Sequence, residues 1–129
     1  MGAPVKQQKL IDDKWIFEQY FLNPDVQAGN MSYNKIYEMV KRKFGKNPNT
    51  GTDFTKAAIW HSANRYFVRN YDNPEIEAAY NMWYVNSGLA PLTHEEYLHE
   101  VSKRARSVFA KVQYRNWCAK HDDIEYLGE

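Results

Sequence analysis

The sequence predicts an all-α chain, a single compact domain of five helices, and three observations lead there. Apolar residues recur at three- and four-residue steps in five successive segments, and no segment keeps up the two-residue alternation of a strand. Pro4, Pro24, Pro48, Pro74 and Pro91, with every glycine, fall between or just outside those segments, where they punctuate a helical chain instead of breaking it. A chain of 129 residues that is 43% hydrophobic and 16% aromatic has enough material for a core without staples. Cys118 is the only cysteine, so an internal disulfide is excluded and a reducing compartment is expected.

The first helix is expected from about Gln8 to Leu22, with Ile11, Trp15, Phe17, Tyr20 and Phe21 on a broad apolar face and Asn23-Pro24 as its stop. Ser32 is the natural N-cap of the second, which turns Tyr33, Ile36, Val40 and Phe44 inward and ends at Gly45. Thr52 or Asp53 caps the third, whose core stripe runs Ile59, Ala63, Tyr66 or Phe67, and Asn70. Asn73-Pro74-Glu75 opens the fourth: a capping side chain, a proline at the first helical position, then an acid near the positive end of the dipole. Its buried line is Ile76, Ala79, Tyr80 and Trp83, and Gly88 ends it. Thr93 to Glu96 is a capping box for a long fifth helix reaching about Lys120, and residues 121–129 form an acidic tail.

Charge is arranged in blocks. Residues 31–71 carry eight Lys and Arg against Glu38 and Asp53, a surplus of +6 in a chain whose total is +1. Residues 72–100 hold six acids and no Lys or Arg, residues 101–120 return to +6, and 121–129 close at −4. A compact basic helix pair over 31–71 suits a phosphate backbone. On its third helix Thr55, Ser62, Arg65 and Arg69 share a helical stripe with His61 at the edge, while Lys41, Arg42, Lys43 and Lys46 flank it from the second. Small and basic residues so placed resemble the reading helix of a helix-turn-helix, although Gly45 to Thr52 is longer than that motif's turn. The plain alternative is a solvated basic face.

Residues 72–120 are expected to carry oligomerisation. Trp83 and Tyr84 lie among acids, while Arg104, Lys111, Tyr114, Arg115 and Trp117 form a basic and aromatic counterpart. Copies could meet head to tail through them, or the same charges could pair inside one chain. In the tail, Ile124, Tyr126 and Leu127 stand among acids, a pattern suited to docking on a basic surface of another subunit.

No catalytic, metal or cofactor site is predicted. His94 and His99 are five apart, about 140° around a helix, so they cannot imitate the paired ligands of HExxH. Cys118 and His121 have ligand spacing but lack two further ligands, and no glycine-rich phosphate loop or nucleophile elbow is present. MGAPVKQQK has neither the apolar run of a signal peptide nor a myristoylation pattern, and no stretch is apolar enough to span a bilayer, so a cytoplasmic protein without membrane contact is expected.

KQQKLIDDKWIFEQYFLNP, the basic pair, Asn73-Pro74-Glu75-Ile76 and LTHEEYLHEVSKRAR, with its Ala105-Arg106 pair, together resemble the N-terminal half of phage small terminase subunits. GKNPNTGT stands where that family has an Ala-Gly-Tyr-Ser-like turn. The resemblance implies a non-enzymatic DNA-packaging adaptor, working in host cytoplasm. It would bind duplex DNA through its earlier helices, form a homo-oligomeric ring through its later ones, and engage a larger ATPase-nuclease partner. From a different class, the alternative is a helical interaction or virion component, or an inhibitor docking on a host protein. A mimic of DNA built from the acidic blocks is a third option.

Overall fold

The computed structural model describes residues 11–28 and 33–128, all of it helix and connecting chain, with no strand among the described residues beyond an isolated Lys46–Asp53 bridge. Helix α1 covers Asp13–Phe17. Asp12 caps it, its carboxylate accepting from the backbone of Lys14 at 3.0 Å and Trp15 at 3.3 Å. The helix then widens into a π-helical segment, Glu18–Leu22, closed by an Asn23 N–H to Glu18 carbonyl bond of 2.7 Å. Residues 8–10 of the expected first helix and the expected cap Ser32 lie outside the described residues. Asn23 caps the short α2, Pro24–Gln27.

Helix α3, Tyr33–Phe44, buries Ile36 and Val40 completely. Its stop is Gly45, held at φ 69°, a conformation that favours glycine. Residues 45–55 then turn on Asn47, whose N–H donates to the Thr52 carbonyl at 2.8 Å, and buried Phe54 anchors the end of the loop. The third helix begins one residue after Thr55, which is the cap in place of Thr52 or Asp53. α4, Lys56–Arg69, is the central element: Ile59, Ala63, Phe67 and Val68 are buried, and it packs chiefly on α1 and α6. α3 rests mainly on the π-helical segment instead, so α3 and α4 do not form the close pair of a helix-turn-helix.

Helix α5, Pro74–Asn86, starts on the Asn73 cap and ends before Gly88 at φ 85°. α6, His94–Val108, opens on the predicted Thr93/Glu96 capping box. The long fifth helix is where prediction and structure part. Phe109 and Ala110 are extended, and α7, Lys111–Ala119, folds back as a separate helix. A continuous helix over 93–120 would be roughly 40 Å long, and its far half would hold its apolar face in water. Folding back instead buries Tyr114 and Cys118 and sets the Tyr114 hydroxyl 2.7 Å from Ser102. Burial therefore overrides local helix propensity at a point with no glycine or proline.

One core joins these helices, and its centre is aromatic. Phe67 and Tyr80 stack with centroids 4.6 Å apart, Phe17 lies 4.8 Å from Phe21, and Tyr97 meets Phe67 edge-on. Such pairs add about 0.5–1.5 kcal/mol beyond the area they bury.

Candidate nucleic-acid interface

The basic residues predicted to touch DNA separate into two groups. Arg42, Lys43 and Lys46 are exposed at the C-terminal end of α3 and the start of the loop. A helix C-terminus favours cations through its dipole, so local structure alone accounts for part of this cluster. Its setting adds more. Lys43 lies 5.2 Å from the Trp15 ring centroid and 5.8 Å from Phe44, and an open cavity of about 300 Å³ is lined by Trp15, Met39, Arg42 and Lys43. Lys41 is more engaged: it sits 3.5 Å from Glu38, 3.7 Å from Asp53 and over the Tyr37 ring at 5.1 Å. The Glu38 carboxylate raises its pKa above the usual lysine range.

The stripe on α4 is not an open surface, which corrects the expectation for Ser62 and Arg65. Ser62 is fully buried and donates to Asp13 Oδ1 at 2.5 Å. Arg65 forks onto the same carboxylate, Nε to Oδ2 at 3.2 Å and Nη2 to Oδ1 at 3.0 Å. Helix α1 lies over this face of α4 and supplies the acid. The Thr55 hydroxyl accepts the Ala58 N–H as a cap. His61 is half-buried, and burial, with Arg65 nearby, pushes its pKa down. Of the two α4 arginines, only Arg69 is exposed.

The residues predicted to join copies also find partners inside the chain. Tyr114 is buried, its hydroxyl accepting the Leu127 N–H at 3.0 Å, and Ile124 is buried too. Tyr71 donates to Asp123 at 2.8 Å, and Ser102 to the Glu125 carbonyl at 2.6 Å. The tail predicted to dock on another subunit is thus strapped across α6 and α7 of its own chain, with Tyr126 at the rim beside Tyr114. Trp117, half-buried, stacks on His121 at 4.5 Å and meets Tyr71 and Phe109. Arg104 spreads over the Trp60 and Trp83 rings at 5.1 and 5.8 Å and donates to the Tyr80 hydroxyl at 3.3 Å. Trp83 and Tyr84 are half-buried, while Lys111 and Arg115 are exposed.

Some of the charge blocks pair within the chain as well. Glu77 holds His94 at 3.0 Å and raises its pKa, and Glu100 takes Lys103 at 3.1 Å. Among the described residues no group of three or more His, Cys, Asp or Glu could hold a metal ion, and no helix is long and apolar enough to cross a membrane. Cys118 is buried, which raises its thiol pKa.

A second cavity, of about 270 Å³, lies at the other end of α3 and is lined by Tyr20, Tyr33, Lys56 and Trp60. Sequence reasoning missed it because its rings come from three separate segments. No local signal in the sequence marks it: periodicity places Tyr33 on the inner face, and the structure leaves it 51% exposed. In comparisons with known proteins, no family model, no curated protein and no solved structure matches this chain.

Proposed function

We propose that this chain is a non-enzymatic DNA-binding protein that lays the exposed end of α3 against the phosphate backbone. The observation that carries the reading is the cluster Arg42, Lys43 and Lys46, exposed together and not ion-paired to any acid among the described residues. Cations so placed contact phosphates, which position a protein without reading sequence. With Ser62 buried and Arg65 held by Asp13, base-edge reading by α4 drops out of the proposal. In its broader form the reading is an adaptor in viral DNA packaging or a regulatory assembly, as the terminase resemblance implies.

The test is a salt titration of duplex DNA binding by wild type and by the triple variant Arg42→Ala, Lys43→Ala, Lys46→Ala. Removing one cation from a phosphate should flatten the log–log salt dependence by about 0.9. A wild type without any salt-sensitive binding ends the reading.

One observation favours a second, protein-binding reading. Met82, Val85 and Leu89 are exposed by 47%, 39% and 49% along one side of α5 and just beyond its end, a spacing of three and four residues. A second copy or a larger partner would cover them. Solution mass with and without duplex DNA separates the two: a monomer that gains mass only with DNA supports the first.

A further inference from the structure

We propose that the aromatic cavity beside the start of α3 receives one unpaired base of single-stranded DNA, with Lys56 holding the neighbouring phosphate. This rests on the DNA-binding reading above and adds a single-strand site to the duplex-backbone contact at the far end of α3.

The cavity suits one flat ring. Its volume of about 270 Å³ falls just below the roughly 300–1,000 Å³ of sites for drug-sized ligands. Three of its four lining side chains are aromatic and already fixed by one another. Tyr20 lies 4.9 Å from Trp60 and 5.3 Å from Tyr33. Trp60 is backed by Phe21 at 5.9 Å and by Trp83 at 6.1 Å. The Tyr33 hydroxyl accepts the Trp83 indole N–H at 3.1 Å, which holds the most exposed ring of the set in place. Rings ordered before the guest arrives lose little freedom on binding, so stacking is not offset by ordering.

Charge then selects the guest. Aromatic cavities commonly suit quaternary ammonium groups, but Lys56 would repel one here. Its ammonium donates to Asn34 Oδ1 at 2.8 Å and lies 5.5 Å from the Tyr37 ring centroid, and neither partner is acidic. Lys41 faces the same Tyr37 ring but already has Glu38 and Asp53 beside it. The guest therefore combines a flat ring with a negative charge a few ångströms away, which is what a nucleotide of a DNA strand offers. A base within a duplex is stacked on both faces and cannot enter such a cavity, whereas an unpaired base can.

The experiment compares fluorescence-labelled oligothymidylate with a blunt duplex of equal length, using wild type, Tyr33→Ala, Tyr33→Phe and Lys56→Gln. Tyr33→Ala should weaken single-strand binding about tenfold or more while duplex binding is unchanged, and Tyr33→Phe, which keeps the stacking ring but loses the hydroxyl that accepts from Trp83, should recover most but not all of the single-strand affinity. Lys56→Gln should weaken single-strand binding and flatten its salt dependence by about 0.7. Duplex binding without single-strand binding, or single-strand binding indifferent to Tyr33→Ala, overturns this proposal and leaves the α3 surface standing. Displacement by free thymidine monophosphate as effective as by the strand also overturns it, in favour of a small-molecule site. If neither DNA binds in a salt-sensitive way, both this proposal and the function it rests on fail.

Discussion

Arg65 grips both carboxylate oxygens of Asp13, and Ser62, one helical turn before it, donates to one of them. The pair joins α1 to α4 across a separation of 52 residues, and both side chains are mostly shielded, Asp13 at 13% and Arg65 at 21% exposure. Removing one partner from such a pair leaves the other charge poorly solvated. Arg65→Ala should therefore lower stability by about 2 kcal/mol, between the values for surface and fully buried pairs. In urea melts Asp13→Ala should cost a similar amount, and the double variant should cost less than the sum. The same Arg65→Ala should leave the salt slope of DNA binding untouched. A flattened slope with unchanged stability would return Arg65 to the DNA surface.

The C-terminal segment behaves structurally as part of the core. Ile124 is 6% exposed, and the chain on either side of it is tied down by Tyr71, Ser102 and Tyr114. Ile124→Ala should destabilise the protein by about 2–3 kcal/mol through reduced burial and the cavity left behind. Truncation after His121 should lower the melting temperature further, because it also takes from the Tyr71 and Ser102 hydroxyls the acceptors that Asp123 and Glu125 supply. Thermal melts and solution mass together decide the matter. A truncated chain with an unchanged melting temperature and a smaller assembly would make the tail an intersubunit arm after all.

What the sequence disclosed and what it hid divide along one physical line. Signals carried within a few residues were readable: the Thr93/Glu96 box, the Asn73-Pro74 start, and the stops at Gly45 and Gly88. Burial of Ile36, Val40, Ile59, Ala63 and Phe67 follows helical periodicity in the same way. Features made by contacts between distant segments were not readable. Ser62 and Arg65 look like a polar surface stripe until Asp13 is laid over them. The break at Phe109-Ala110 has no local breaker and exists because Tyr114 gains burial and a partner in Ser102. The aromatic cavity draws on residues 20, 33, 56 and 60, and each alone reads as ordinary core or solvated lysine. Charge blocks misled for a related reason, since sign along the chain does not say which acid a given cation will meet.

Two histidines should titrate on opposite sides of the ordinary value near 6.5. His94 is raised, first through its hydrogen bond to Glu77 and then through the charge of that carboxylate, with smaller help from Asp123 and Glu95. His61 is lowered, chiefly by burial and then by Arg65, with Asp13 opposing. For His94 the stabilisation is fully present below about 6.5 and is lost as pH rises through its raised value. For His61 the neutral form fits the fold, so the associated stability is present above about 6.5 and is lost as pH falls through that value toward the lowered one. The His94 side chain is 66% exposed, so salt should shrink its shift. Proton NMR titration of the two imidazoles reads both directions at once. Glu77→Gln should bring His94 back toward about 6.5 and leave His61 where it was. Arg65→Ala should raise His61, because Asp13 then acts on it without the opposing guanidinium, and should leave His94 alone. An unmoved His94 in Glu77→Gln would mean that the 3.0 Å contact does not persist in solution.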